Sequence, residues 1–328
     1  IRDRRKEVPD FSEINGQQFV KRACEIAVSG RHNLLMIGPP GAGKTMIARR
    51  IPGILPEMTE EETLEVTKIY SVRGLLTESE AWMAERPFRN PHHTITPQGL
   101  AGGGMVPGPG EISLAHHGVL FLDELAEFRR ETLEILRQPM EEHCVKLARL
   151  AGNYEFPSDF MLVAAMNPCR CGYYPDLNRC HCTKGMVEQY LKKISQPLLD
   201  RIDICVETKR VEYQDLIKEN PHQETSAEIR KRVVAAMERQ QQRFAGTNIR
   251  YNSRIPAALL TKYCRLSTKQ KQYMESIYQK LELTARSYHR ILRVARTIAD
   301  MDGSDEILTR HLSEAVCYRN VDKKFWEG

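Results

Sequence analysis

The chain has 328 residues, 41% of them hydrophobic, and its 48 Lys and Arg against 43 Asp and Glu leave a net charge of only +5. That is enough for one large core and a smaller one, and too little excess charge to argue for nucleic-acid contact by composition alone. No apolar run approaches the ~20 residues of a membrane span and no signal peptide is visible, so the nine cysteines suggest a reducing cytoplasm instead of a disulfide framework.

Residues 1–9 open on Ile1 and a basic stretch (Arg2, Arg4, Arg5, Lys6), read here as a linker from an N-terminal part the sequence does not contain. Residues 10–208 alternate strand-length apolar runs with helical patterns. This predicts an α/β domain whose parallel sheet is covered by helices on both faces. Strands are expected at Leu34–Ile37, Val119–Leu122, Phe160–Ala165 and Ile204–Glu207.

The first strand runs into Gly38-Pro39-Pro40-Gly41-Ala42-Gly43-Lys44-Thr45, which fits G-x-x-x-x-G-K-[ST], and then into the apolar Met46-Ile47-Ala48. Strand, glycine loop and helix are the context in which backbone N–H groups turn inward onto phosphate oxygens. Lys44 is placed to reach the β- and γ-phosphates, and Thr45 to offer its hydroxyl to Mg²⁺. A long interval follows. Its surplus, Arg86–Ala115, is rich in Pro, Gly and His (Asn90-Pro91-His92-His93, Gly102-Gly103-Gly104) and predicts an inserted loop or hairpin.

Gly118–Leu122 is a buried-strand run that ends in Asp123-Glu124. Asp123 is expected to hold Mg²⁺ through water, and Glu124 to orient and deprotonate the attacking water. Residues 142–154 read as two short strands around a turn, carrying Lys146 and Arg149. Val163–Met166 ends at Asn167-Pro168, where the Asn is either a phosphate or water ligand or simply the start of a turn. Next come Cys169-Arg170-Cys171 and Cys180-His181-Cys182, four thiols in a Gly- and Pro-bearing loop. They form a candidate tetrahedral zinc site, with His181 as a possible substitute ligand and free buried thiols as the alternative. The remaining cysteines, Cys24, Cys144, Cys205, Cys264 and Cys317, read as core. Arg201, within Leu198-Leu199-Asp200-Arg201-Ile202-Asp203, fits either a surface ion pair or an arginine finger.

Residues 209–225, centred on Asn220-Pro221, read as a linker. Residues 226–328 read as a small all-helical lid. Thr225-Ser226-Ala227-Glu228 fits a capping box, with Ile229, Val233, Met237 and Phe244 at helical spacing after it. Further helices are expected at about 285–299 and 309–318.

Taken in order, the phosphate loop, the Leu-Asp-Glu strand, the Asn-Pro strand end and Leu-Leu-Asp-Arg-Ile-Asp resemble AAA+ ATPases of the branch holding magnesium chelatase and the minichromosome-maintenance helicases. Asn90-Pro91-His92-His93-Thr94, Leu136–Glu141, Ala165–Cys169 and Thr284-Ala285-Arg286-Ser287-Tyr288-His289-Arg290 are similar to the magnesium chelatase-like ComM/YifB family over residues ~10–320. The resemblance implies nucleotide contacts from Ile14 (within Ile14-Asn15-Gly16-Gln17, near the adenine), from Gly38, Pro39, Pro40, Gly41, Ala42, Gly43, Lys44 and Thr45, from Met46, and from Asp123. It implies catalytic roles for Lys44 and Glu124, for Asn167 as sensor 1, for Arg201 as the finger acting in trans, and for Arg286 as sensor 2. Arg290 and Arg293 share a helix face with Arg286, so the sensor falls on one of the three, and solvated arginines are the plain alternative.

In the related helicases a hairpin like residues 142–154 enters the ring's pore, which implies DNA contact by Arg149 and Lys146. The inserted His92-His93 segment is the second pore candidate. The expected whole is a cytoplasmic, hexameric ring motor using ATP and Mg²⁺ on single-stranded or branched DNA during natural transformation. Its rivals are a chelatase-type remodelling ATPase and a nucleotide-gated scaffold.

Overall fold

A computed structural model describes residues 8–77, 82–149, 152–210 and 223–326. Most of the expected N-terminal linker, the centre of the 209–225 linker and the Leu150-Ala151 turn lie outside them. The described strands are β1 Leu34–Ile37, β2 Phe88–Arg89, β3 Gly102–Gly103, β4 Gly108–Pro109, β5 Val119–Leu122, β6 Cys144–Arg149, β7 Gly152–Pro157, β8 Met161–Met166 and β9 Ile204–Glu207. The parallel sheet has five of them, as the α/β reading requires. No helix among the described residues is long and apolar enough to cross a membrane.

The chain forms two compact units: residues 1–37, 41–55 and 202–328, and residues 38–40 and 56–201. In the first, β1 and β9 pair in parallel with Leu34 opposite Ile204 and Ile37 opposite Glu207. The C-terminal helices belong to this unit along with Gln18–Gly30. Ser226–Arg243 is started by the Thr225/Glu228 capping box, and it buries Ile229, Val233 and Met237. Phe244 caps that helix and does not extend it, yet is still buried. Ala285–Met301 buries Ile291, Leu292, Ala295 and Ile298, and its last turn carries Asp300, buried between Arg243 and Arg296 with Asn252 donating at 2.8 Å. A buried carboxylate persists only when paired in this way. The last helix runs Thr309–Trp326, about two turns beyond the expected end. Cys317 on it is exposed, which corrects its assignment to the core, while Cys24, Cys144, Cys205 and Cys264 are buried.

In the second unit β2, β5 and β8 are parallel neighbours, with Phe88 opposite Val119 and Val119 opposite Met161. All residues of Val119–Leu122 and Met161–Met166 are buried, as expected of central parallel strands covered on both faces. Gly118 lets β2 approach: a Cβ there would lie 1.9 Å from the Pro87 carbonyl oxygen, which accepts the Val119 N–H. The segment between Lys44 and Asp123 has a core of its own, in which Val66, Ile69 and Tyr70, ahead of the expected insertion, pack with Leu114 inside it. Arg86 ties its start together by donating to the Pro56 and His117 carbonyls and pairing with Glu62 at 2.7 Å. Burial works to raise the Glu62 pKa, but the Arg86 guanidinium outweighs it and the carboxyl stays below its usual range. The expected inserted hairpin is β3–β4, and the second hairpin is β6–β7, six residues a side.

Candidate functional site

Within the second unit, two strand ends meet the first residue of the phosphate loop. Leu122 pairs with Ala164 in the parallel β5–β8 ladder, so Asp123-Glu124 and Asn167 leave their strands at the same, carboxyl, edge. The Gly38 N–H donates to the Met166 carbonyl at 3.2 Å, bringing the first residue of the phosphate loop to that edge as well. The carboxyl ends of parallel strands are where α/β folds receive ligands.

Asp123 is half-buried and accepts the Glu124 N–H on Oδ1 at 3.0 Å. Glu124 adopts a left-handed backbone, φ 52°, which swings its carboxylate into solvent. There His93 Nδ1 lies 3.3 Å from Glu124 Oε2. His93 stacks on His92 at 4.1 Å between ring centroids and meets Phe128 edge-on, while His92 Nδ1 is 2.9 Å from Thr94 Oγ1. The imidazole thus stands at the open side of this carboxylate. Sequence reading missed this contact, because nothing local links His93 to a strand end so far along the chain.

The rest of the phosphate loop is in the first unit. Gly41 and Gly43 take φ of 75° and 80°, left-handed values that suit glycine, and Gly43 caps the Lys44–Ala48 helix. Lys44 is buried, Thr45 half-buried and Met46 exposed. Ile14 is fully buried, and Gln17, three residues on, donates from Nε2 to the Ala42 carbonyl at 3.3 Å. The segment implied to lie near the adenine thus touches the loop. Arg286 sits exposed in the first turn of Ala285–Met301. Arg290 is buried and donates to the Ile202 carbonyl at 3.0 Å, and Arg293 donates to the Ile255 carbonyl at 2.9 Å. Both hold backbone in place, which corrects the alternative that these two are solvated.

Arg201 donates to the Pro197 carbonyl and pairs with the Glu141 carboxylate of its own chain. To reach another protomer's nucleotide it must leave Glu141. On the β6–β7 hairpin, Lys146 pairs with Glu142 at 2.8 Å, and Arg149 is the last residue of β6, opposite Gly152. At the β3–β4 turn Met105 and Val106 are fully exposed. Their signal in the sequence was two apolar residues flanked by Gly102-Gly103-Gly104 and Pro107.

The four cysteines come together. Cys169 Sγ is 3.4 Å from Cys171 Sγ and 3.8 Å from Cys180 Sγ, Cys171 Sγ is 3.5 Å from Cys180 Sγ, and all four sulfurs lie within 4.8 Å of one another. Zinc–thiolate bonds of ~2.3 Å at tetrahedral angles set sulfur–sulfur separations of about 3.8 Å, so the set fits that ion. Backbone N–H groups point at the sulfurs: Tyr174 N–H reaches Cys169 Sγ at 3.4 Å. Burial works to raise the Cys171 thiol, but the N–H groups of Tyr173 and His181 bring it to about 6. Cys180 is pushed up to about 12, by burial and by its neighbouring sulfurs. The set could hold a metal ion, on which all four would bind as thiolates.

A second cluster does not fit a metal. Glu65 Oε2 lies 3.1 Å from His116 Nε2 and 2.6 Å from His117 Nε2. The Asp159 N–H donates to His116 Nδ1 at 2.9 Å. His116 must therefore carry its proton on Nε2, facing Glu65, where a metal would need a lone pair.

A family model described as magnesium chelatase, subunit ChlI, matches residues 10–216. One described as magnesium chelatase, subunit ChlI C-terminal, matches residues 223–319. YifB of Escherichia coli (strain K12) is 44% identical over 314 residues, 96% of this chain and 61% of its own length. Competence protein ComM of Haemophilus influenzae is 43% identical over 314 residues, 96% of this chain and 60% of its own length. The magnesium-chelatase 67 kDa subunit of Chlorobaculum parvum is 27% identical over 162 residues, 48% of this chain and 23% of its own length. The chain thus spans about three fifths of YifB and ComM.

Proposed function

Because this chain belongs to the magnesium chelatase-like ComM/YifB family, we propose that it is an ATP-hydrolysing ring motor, hexameric and cytoplasmic, acting on DNA by unwinding or branch migration during transformation. The observation that carries the hydrolytic part is the shared carboxyl edge of β5 and β8, where Asp123, Glu124, Asn167 and the start of the phosphate loop meet. The name of the Haemophilus relative supports the competence context.

Lys44 balances the charge of the β- and γ-phosphates, and the N–H groups of Gly41–Thr45 cradle them. Thr45 and Asp123 hold Mg²⁺, which draws charge from the phosphoryl oxygens. Glu124 accepts a proton from the attacking water and Asn167 orients it. Arg201 exchanges its own Glu141 for a neighbouring protomer's γ-phosphate, and Arg286 reaches the nucleotide as sensor 2. Six copies of the β6–β7 hairpin, with Arg149 and Lys146, line the pore and meet the phosphate backbone of DNA. The inserted segment with His92 and His93 is the second DNA loop. Cys169, Cys171, Cys180 and Cys182 hold a structural zinc.

ATPase assays with and without forked DNA test this reading. We expect stimulation by DNA that Arg149→Ala removes while leaving the basal rate. Equal rates with and without DNA would favour a chelatase-type remodelling ATPase, and negligible turnover despite tight nucleotide binding would favour a gated scaffold.

A further inference from the structure

The segment from Met166 to Gly172 grips the first three residues of the phosphate loop at two points. At one, the Met166 carbonyl accepts the Gly38 N–H at 3.2 Å. At the other, Gly172 packs so closely on Pro40 that a Cβ on Gly172 would stand 2.5 Å from Pro40 Cδ and 3.2 Å from Cγ. A proline Cδ is bonded to its own backbone nitrogen and cannot swing aside, so this is contact with the loop's main chain. Between the two grips lie Asn167, Cys169 and Cys171.

The cysteine set controls the second grip. Gly172 has φ 85°, and its N–H donates to the Cys169 carbonyl at 3.0 Å. Cys169 is fully buried, Cys171 is half-exposed, and both sulfurs lie within 3.8 Å of Cys180 across the loop. One soft divalent ion on the four sulfurs would therefore fix the turn that follows Asn167 and, through Gly172, the position of Pro40. Without an ion, only weak S–H contacts join sulfur to sulfur, and the turn rests on backbone bonds such as the Gly172 N–H to the Cys169 carbonyl and the Tyr174 N–H to Cys169 Sγ.

We propose that the four-cysteine loop is a metal-dependent clamp on the phosphate loop: zinc in the cluster sets Gly172 against Pro40 and holds the loop in its nucleotide-receiving form. Metal occupancy then governs nucleotide affinity. The proposal rests on the nucleotide reading above and extends it to how that site is regulated.

The test uses the full chain purified without chelator, with zinc counted by elemental analysis and Mg²⁺–ATPγS binding measured by calorimetry. The wild type should carry one zinc and bind. Stripping zinc should raise Kd at least about tenfold with the fold retained by circular dichroism, and added zinc should restore it. Gly172→Ala should keep its zinc yet raise Kd about tenfold or more, because the new methyl group pushes Pro40. Adding Pro40→Ala should recover most of that loss, since it removes the clash and leaves any backbone strain at residue 172. Unchanged binding in either the zinc-stripped chain or Gly172→Ala overturns the clamp, as does a loss in Gly172→Ala that Pro40→Ala fails to recover. If Lys44→Ala binds nucleotide as tightly as the wild type, the nucleotide reading itself has failed.

Discussion

The adjacent strands β5 and β8 are alike along their length and different at their ends. At the amino end, His116 and His117 precede β5 and Asp159 precedes β8. The Asp159 N–H donates to His116 Nδ1, the His117 N–H donates to the Asp159 carbonyl at 2.7 Å, and Glu65 bridges both imidazoles. The two imidazoles there are buried, and Glu65 and Asp159, partly exposed, hold them. At the carboxyl end Glu124 is exposed in a left-handed backbone and Asn167 opens into a loop of thiols. One end holds the strands together, and the other presents groups whose bonding can change. Substitutions at the amino end should cost stability and spare turnover, and those at the carboxyl end the reverse.

The largest expected effect is on turnover. Glu124→Gln keeps shape and hydrogen bonding but cannot take a proton, so kcat should fall about 10²–10³-fold with nucleotide still bound. Thermal denaturation should hardly move, because the side chain is solvated. A drop of many degrees would erase the division between the ends.

The amino end should respond to acid. Burial, then the neighbouring His117, lowers the His116 pKa from 6.5 to about 4. The folded state holds this imidazole neutral while the unfolded chain takes a proton below pH ~6.5. The stability it contributes is thus complete above pH ~6.5 and lost as pH falls through about 4, up to ~3 kcal/mol in all. His116→Asn offers an oxygen where Nδ1 was, to accept the Asp159 N–H, and does not titrate. Urea unfolding of this variant between pH 7 and 4 should show a shallower fall than the wild type, at equal ATPase.

A smaller effect is expected at His93. Losing a partly exposed contact with a solvated carboxylate is worth at most about 1 kcal/mol, roughly fivefold in rate. We expect His93→Ala to change basal kcat by that factor, and His93→Asn, whose amide nitrogen falls near the imidazole Nδ1, to retain the wild-type value. A change in DNA affinity alone, with kcat untouched, would make His93 a DNA contact only. Smallest of all is Lys146→Ala. Its pair with Glu142 is exposed and screened by solvent, so melting should be unaffected and only the salt dependence of DNA binding should weaken.

Much of the carboxyl end was legible in the sequence. The phosphate loop and Asp123-Glu124 are fixed by what phosphate and Mg²⁺ demand at set spacings, and all-apolar runs announced the buried strands. The cysteines could be paired as a set because four ligands fell within one short loop. What could not be read was contact between distant segments: His93 with Glu124, Arg201 with Glu141, Arg290 with the Ile202 carbonyl, Gly172 with Pro40. The amino-end network was equally hidden, since His116-His117 carries no motif and owes its meaning to Asp159, brought alongside by the parallel ladder. Cys317 was misjudged because a cysteine on a helix is buried or exposed according to its face, and the last helix gave no clear periodicity.

The most direct measurement mixes two inactive proteins. Glu124→Gln lacks a base but keeps Arg201, and Arg201→Ala lacks the finger but keeps Lys44, Thr45, Asp123 and Glu124. If triphosphate is cleaved between protomers, combining the two should regain ATPase that neither shows alone, through sites pairing an intact base with a neighbour's arginine. No regain, in a mixture shown to assemble into common rings, would contradict the account.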